Sequence, residues 1–171
     1  MNPIYLDLHL HTSDDPNSLN DSYDLDLLIS KIKSYNEDSD FLISLTDHNT
    51  VNKPVYLKAV KKGINIILGV ELHIQNYEVC PAYHCHIYFN LDKITEEIID
   101  DINAKLDELY PNKVVQKQDI AIPKIEKIIN TFDSYEFLLL PHGGQSHATF
   151  DTSIPEGVKF DKKKKKSIYY N

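Results

Sequence analysis

Most histidines of this chain lie in or just after short apolar runs. His9 and His11 lie at the end of the run 4–10, and His48 follows the run 41–46. The metal-binding side chains in such positions are His9, His11, His48, Glu71, His86 and His142. Imidazole together with carboxylate suits zinc, manganese or iron better than magnesium, which prefers oxygen ligands. The pattern therefore predicts a site for divalent metal ions.

Residue spacing within the runs strengthens this prediction. His9 and His11 are two residues apart, so both point to one face of a strand, and Asp7 shares that face. We expect Asp7 and Asp47 to hold the ligands in place. The remaining histidines fit the pattern less well and are predicted to lie at the surface or to support the ligands: His73, His84 and His147. The sequence offers no Ser-His-Asp or Cys-His arrangement and no glycine-rich phosphate loop.

The elements that position these side chains alternate between apolar runs and helix-periodic stretches. Predicted strands cover residues 4–10, 41–46, 64–70, 84–89 and 137–140, and predicted helices cover 25–35, 52–62, 95–109 and 123–132. Asp21 or Ser22 is expected to cap the first helix. Strands that alternate with helices indicate an α/β fold with a largely parallel sheet or barrel. The carboxyl ends of such strands gather on one face, so the predicted ligands should meet there.

Five segments resemble, in order, the motifs of the PHP (polymerase and histidinol phosphatase) family. They are Asp7-Leu8-His9-Leu10-His11-Thr12, Leu45-Thr46-Asp47-His48-Asn49, Gly69-Val70-Glu71, His86-Ile87 and Pro141-His142-Gly143. The first motif alone would also fit amidohydrolases, but five ordered motifs over residues 4–144 are specific. The resemblance implies an α/β fold of the PHP type, a distorted and incomplete TIM-like β/α barrel. It also implies two or three divalent metal ions (Zn, Mn or Fe).

The resemblance further implies which residues share each ion. The first ion would be held by His9, His11 and Glu71. The second would be held by Glu71, His86 and His142, so that Glu71 bridges the two. A third would be held by His48 and a carboxylate after the first motif, for which we choose Asp15, with Asp14 as the alternative.

The chain departs from the family near its C-terminal end. Family members close the site with an Asp-x-His motif on the last strand, and no such motif follows His142 here. We predict a PHP-like metal-binding domain at residues 1–144 and a lysine-rich segment at 145–171, which contains Lys162 to Lys166. The sequence is then either the N-terminal part of a longer protein with a C-terminal fusion domain or a truncated relative.

The composition excludes several classes of protein. A chain of 171 residues with 42% hydrophobic side chains suits one domain with a packed core. No apolar run reaches the roughly 18 residues of a membrane span, so we expect no membrane association. Two cysteines and no visible signal peptide favour a cytoplasmic location. The net charge of −8 argues against a domain that coats nucleic acid.

The expected function is hydrolysis of a phosphomonoester or phosphodiester by metal-bound hydroxide, because coordination lowers the pKa of water to about 7. The substrate would be a nucleotide, a nucleic-acid end or a small phosphorylated metabolite. The chain has no arginine, so a lysine such as Lys53 or a third ion must offset the phosphate charge. The alternative is a catalytically inactive metal-binding structural or regulatory module of a larger nucleic-acid-processing protein. A metal-dependent amidohydrolase is a third hypothesis.

Overall fold

The computed structural model describes residues 4–35, 40–113, 122–142 and 154–156. Within these ranges the elements follow the order β1 (Ile4–Leu10), α1 (Leu25–Tyr35), β2 (Asp40–Leu45), α2 (Lys53–Lys61), β3 (Gly69–Ile74), β4 (Tyr83–Phe89), α3 (Glu96–Leu109), α4 (Ile125–Thr131) and β5 (Phe137–Pro141). The predicted α/β class and element order are confirmed. His147, the lysine run 162–166 and most of the segment 145–171 lie outside the described residues.

The strands form two sheets of different type. β1 and β2 pair in parallel, whereas β3, β4 and β5 form an antiparallel sheet in that order. The prediction of a largely parallel sheet is therefore wrong for the second sheet, and the residues that the structure describes form no closed barrel. The connection from Ile74 to Tyr83 contains no helix. It is too short for a parallel crossover, which needs about a dozen residues or more.

Two isolated bridges join the first sheet to the chain around β3. Ile43 of β2 pairs in parallel with Ile66, and His48 pairs in parallel with Glu71. The predicted third strand at 64–70 is therefore displaced, because β3 runs from Gly69 to Ile74. The pairing of β3 with β4 begins at Gly69, which lies opposite Tyr88.

Glu71 consequently lies inside β3 and does not end the strand as predicted. Its amide donates to the carbonyl of Asp47 at 3.2 Å, and its carbonyl accepts from the amide of Asn49 at 2.9 Å. On the other side, Glu71 pairs with His86 of β4. The backbone of Glu71 is thus held between the segment after β2 and the second sheet.

Tyr56 of α2 fastens β2 to β3. Its fully buried hydroxyl donates to the carbonyl of Leu45 at 2.8 Å and accepts from the amides of Leu45 at 3.1 Å and Gly69 at 3.0 Å. Burial raises the pKa of this phenol to about 12, so it stays protonated. A side chain at Gly69 would meet Ser44 Oγ and come within 2.9 Å of the Tyr88 ring. Glycine is therefore required where β2, β3 and β4 come together.

Caps define where two of the helices begin. Thr95 caps α3 as its N-cap residue, as the sequence predicts. In α1 the cap is Asp24, whose carboxylate accepts from the amide of Leu27 at 2.9 Å. The predicted caps Asp21 and Ser22 lie too early, because the helix begins only at Leu25. No helix in the described ranges is long and apolar enough to cross a membrane.

Candidate metal centre

Histidines from both sheets meet around one glutamate. They lie at the end of β1, after β2, in β3, in β4 and after β5, and their rings form a chain of neighbours with centroids 4.2 to 6.1 Å apart. We call this group the histidine cluster; its members are His9, His11, His48, Glu71, His73, His84, His86 and His142. The structure thus brings together six of the predicted ligands. Their role as ligands stays a prediction.

Glu71 lies at the centre of the histidine cluster, with a side chain that is 2% exposed. Its Oε2 atom lies 3.0 Å from His11 Nε2 and 3.2 Å from His9 Nε2. Its Oε1 atom lies 2.6 Å from His84 Nδ1 and 4.0 Å from His86 Nε2. Oε2 also lies 3.5 Å from His48 Nδ1, so the carboxylate contacts imidazoles on both of its oxygens, as a bridging carboxylate does.

The first donor group consists of His9 Nε2, His11 Nε2 and Glu71 Oε2. The two nitrogens are 2.9 Å apart, and they lie 3.2 and 3.0 Å from the oxygen. Ligand atoms about 2.1 Å from one ion are separated by about 3.0 Å at octahedral corners and about 3.4 Å at tetrahedral ones. The observed triangle matches this spacing. Three lone-pair atoms this close together require a shared proton or a cation.

The second donor group consists of His48, His73 and His84, whose ligand atoms all lie within 4.8 Å of one another. Their ring centroids are 4.2 Å apart between His73 and His84, 5.3 Å between His48 and His84, and 5.4 Å between His48 and His73. This group adjoins the first, because His84 Nδ1 contacts Glu71 Oε1.

The sequence predicts His73 and His84 to lie at the surface or to support the ligands. Both lie half-buried within the cluster, and His84 contacts the predicted ligand Glu71. Strand parity carried the signal that could have found them. His73 lies two residues after Glu71 and His84 two residues before His86, so each shares a strand face with a predicted ligand.

His86 and His142 lie beside the first donor group. The His86 ring is 4.3 Å from that of His9, and the His142 ring is 5.1 Å from that of His9. The amide of His142 donates to the carbonyl of His84 at 2.9 Å, which ties the end of β5 to β4. The predicted pairing of these two histidines with Glu71 at one ion stays a prediction.

Asp47 fixes the loop that carries His11. Its buried carboxylate accepts from the amide of Thr12 at 2.6 Å, the hydroxyl of Thr12 at 2.7 Å and the amide of Ser13 at 3.1 Å. Burial raises the pKa of Asp47, while these hydrogen bonds act against that rise. Asp7 acts more locally, since it accepts from the amide of His9 at 3.2 Å. Both residues therefore hold backbone next to the predicted ligands.

The carboxylates predicted for a third ion line the same cleft as the second donor group, but they are not among its close donor atoms. Asp14 and Asp15 are exposed and line a cleft together with His48. The Asp15 carboxylate accepts from the amide of Asn17 at 2.9 Å. Among the described residues, neither aspartate belongs to a group of metal-competent atoms within 4.8 Å.

Burial keeps three imidazoles of the cluster neutral. It lowers the pKa of His48 to about 4, that of His73 to about 3 and that of His86 to about 4. A neutral imidazole is the form that binds a metal ion. These side chains are therefore ready to bind an ion at neutral pH without first releasing a proton.

Glu71 and His11 shift each other's pKa values in opposite directions. Burial alone would raise the pKa of Glu71, but hydrogen bonds from its histidine neighbours outweigh burial and hold that pKa well below its usual range. The hydrogen bond to Glu71 in turn raises the pKa of His11. The cluster therefore contains an ionised carboxylate and one imidazole that tends to hold a proton in place of a cation.

Several buried ring nitrogens of the cluster have no hydrogen-bond partner within the described part of the chain. They include His11 Nδ1, His48 Nδ1 and His86 Nε2. A buried polar atom left unpaired costs about 1–3 kcal/mol, so the fold is favoured when such an atom gains a partner. His11 would bind the first ion through Nε2, so only the unpaired nitrogens of His48 and His86, with the donor types and their spacing, fit a divalent ion of the zinc, manganese or iron kind.

A cleft of about 380 Å³ opens beside the second donor group. Lys113 lines this cleft with His48, His73 and His84. Its backbone carbonyl accepts from the side-chain amide of Asn49 at 2.8 Å, and its ammonium lies 3.7 Å from the Asp107 carboxylate. The lysine predicted to meet phosphate, Lys53, pairs instead with Glu96 at 3.1 Å and Asp100 at 2.8 Å on α3.

The sequence matches no protein-family model and no curated protein at a significant level. An amidohydrolase from Chromobacterium violaceum, solved with sulfate and no metal, is 20% identical at a TM-score of 0.38 over 62% of this chain and 32% of its own. A Bifidobacterium adolescentis protein provisionally described as a metal-dependent phosphoesterase is 8% identical at a TM-score of 0.41 over 81% of this chain and 65% of its own. This chain thus spans about a third of the former and just under two thirds of the latter. Neither likeness is close enough to carry an argument about function.

Proposed function

We propose that this protein is a metal-dependent hydrolase that cleaves a phosphate ester. The observation that carries the proposal is the first donor group, in which two imidazole nitrogens and one carboxylate oxygen lie 2.9 to 3.2 Å apart. Metal ions in such sites supply Lewis acidity and an activated water when bound. His9, His11 and Glu71 would hold the first ion.

The protein's own side chains prepare the site in two ways. Glu71 stays ionised and supplies negative charge, while the imidazoles of low pKa stay neutral. Asp47 and Asp7 hold the backbone that carries His9 and His11, so the donor atoms are placed before any ligand arrives. The side chain of His9 is 38% exposed, which leaves the first donor group accessible from solvent.

The charge of the site favours an anionic substrate. Around the cluster one buried carboxylate faces several neutral imidazoles, so bound divalent ions would leave a net positive charge. Lys113 adds one cation at the rim of the cleft, opposed by the carboxylates of Asp14 and Asp15, so the bound ions would supply the positive charge that meets the substrate. A phosphate ester brings the negative charge that such a site stabilises. This supports a nucleotide, a nucleic-acid end or a small phosphorylated metabolite as substrate.

The test compares the metal-free protein with protein reloaded with zinc, manganese or iron(II). We expect the reloaded protein to release p-nitrophenol from p-nitrophenyl phosphate or from bis(p-nitrophenyl) phosphate, and the metal-free protein to be inactive. His9→Ala should abolish the activity, while Asp26→Asn, which removes a surface partner of Lys62, should not. Hydrolysis of p-nitrophenyl acetate or an anilide without hydrolysis of either phosphate would refute the substrate class.

A second candidate is a metal-binding module without catalytic activity. It is supported by the third predicted ion, whose carboxylates Asp14 and Asp15 lie outside the groups of close donor atoms among the described residues. On this alternative the protein would retain metal but hydrolyse neither phosphate substrate. The same result from a longer gene product, if the reading frame continues beyond residue 171, would establish the alternative.

A further inference from the structure

We propose that His48, His73 and His84 form a second metal site, with Glu71 Oε1 as its fourth ligand. This site deepens the proposed function, on which the role of its ion rests, whereas the positions of its ligands are observed independently of that function. It differs from the predicted ligand set, in which His48 was paired with Asp15 and neither His73 nor His84 bound an ion. The observation behind it is that the ligand atoms of the three histidines lie within 4.8 Å of one another.

The pairing of β3 with β4 brings two of these histidines together. His73 and His84 are direct partners across the two strands. The amide of Phe89 donates to the carbonyl of Leu68, which makes Leu68 and Phe89 a hydrogen-bonded pair. Hydrogen-bonded and non-hydrogen-bonded pairs alternate along an antiparallel ladder, so His73 and His84, five residues further along, form a non-hydrogen-bonded pair. Side chains approach most closely in such pairs. The ring centroids accordingly lie 4.2 Å apart.

The neighbouring residues restrain each histidine of the proposed site. Asn49 is 1% exposed and uses its Oδ1 atom to accept from the amide of His73 at 3.2 Å. The amide nitrogen and oxygen of Asn49 lie 3.2 and 3.4 Å from His73 Nδ1, so this side chain restrains the imidazole ring in either tautomer. The carbonyl of His84 accepts from the amide of His142. His48 is held opposite Glu71 by their parallel bridge.

Glu71 links the proposed site to the first donor group. Its Oε1 atom lies 2.6 Å from His84 Nδ1, and its Oε2 atom faces His9, His11 and, at 3.5 Å, His48 Nδ1. Tetrahedral ligand atoms lie about 3.4 Å apart, so binding an ion would draw the three imidazoles together and move His84 Nδ1 away from Oε1. Three imidazoles and one carboxylate oxygen suit zinc better than magnesium. The three histidines also line the cleft, so an ion there would face a bound substrate.

Metal stoichiometry tests the proposal directly. The full chain is stripped with a chelator, reloaded with zinc, dialysed and analysed for metal per protein, with circular dichroism to verify folding. We expect two equivalents of zinc in the unmodified protein and one in the His73→Gln/His84→Gln double variant. Glu96→Gln, which removes an exposed carboxylate on α3 outside the histidine cluster, should retain two. Cobalt(II) loading gives a second readout, because loss of one site should remove part of the visible absorption.

Three outcomes would overturn the second site. They are two equivalents in the double variant, one equivalent in the unmodified protein, and loss of an equivalent in both Glu96→Gln and the double variant. Should the double variant misfold, the single variants His73→Gln and His84→Gln provide the same comparison. The readout is independent of catalysis. Two bound ions with no phosphate-ester hydrolysis would leave the second site standing and refute the proposed function.

Discussion

Glu71→Gln is the change with the widest predicted effect, because the Glu71 carboxylate lies within 3.5 Å of imidazoles of both donor groups. An amide offers one carbonyl oxygen and one NH2 group, and the NH2 group cannot bind a metal ion. One donor group therefore loses its oxygen ligand, and the other keeps a neutral amide oxygen in place of a carboxylate oxygen. The variant is nearly isosteric, so packing around this buried position should change little.

The size of the effect follows from the charge that is removed. Two unit charges 4 Å apart interact by about 4 kcal/mol at an effective dielectric constant of 20. A divalent ion bound to Glu71 would be closer and doubly charged, while the remaining neutral oxygen recovers part of the loss. We therefore expect a loss of at least about 3 kcal/mol for each ion, which is more than 100-fold in Kd.

Competition with a chromophoric chelator at pH 7.5 measures both dissociation constants. Glu96→Gln is the matched control, because it removes an exposed carboxylate that pairs with Lys53 on α3 and should leave metal affinity unchanged. NMR titration of the metal-free protein gives an independent readout. The hydrogen bond to Glu71 raises the pKa of His11, so that pKa should fall in Glu71→Gln. Zinc affinities within about threefold of the unmodified protein would refute the bridging role.

Three further predictions concern the cleft, the core and acid stability. Lys113→Ala should raise KM for a phosphate ester about tenfold at unchanged metal content, whereas Lys105→Ala on α3 should not; equal KM values for both variants would contradict the role of Lys113. Tyr56→Phe should lower the free energy of unfolding by roughly 2–4 kcal/mol, because the buried amides of Leu45 and Gly69 lose their acceptor. Urea titrations measure this change, and Tyr35→Phe at an exposed site is the control that should leave stability unchanged. In metal-free protein, stability should rise with pH from about 4 to 6.5, because the histidines of low pKa take up protons in that window only when the chain unfolds. His11, whose pKa is raised, opposes this trend only above the window, and a melting temperature that stays constant from pH 4 to 6.5 would count against the burial of neutral histidines.

The positions of β1, β2 and the helices followed from local patterns. Alternating residues at 4–10 predicted β1 with His9 and His11 at its end, and the structure has β1 at Ile4–Leu10. Thr95 was recognisable as a cap because the relevant hydrogen bond spans only three residues. The predicted position of the third strand was wrong because residues 64–68 are as apolar as a strand. In the structure this segment pairs with β2 on one side only, through the bridge at Ile66.

The sequence by itself determined the inventory of the site: imidazoles and carboxylates at strand ends, and the strand faces that each pair shares. These features depend on neighbours within a few residues, so they are legible in the chain. The tertiary structure alone decided that β3 and β4 pair antiparallel, that Glu71 lies at the centre of the cluster, and that His73 and His84 join it. Those outcomes depend on which strands pair and in which register. That choice is made by loop length and packing between segments far apart in sequence, which local spacing does not encode.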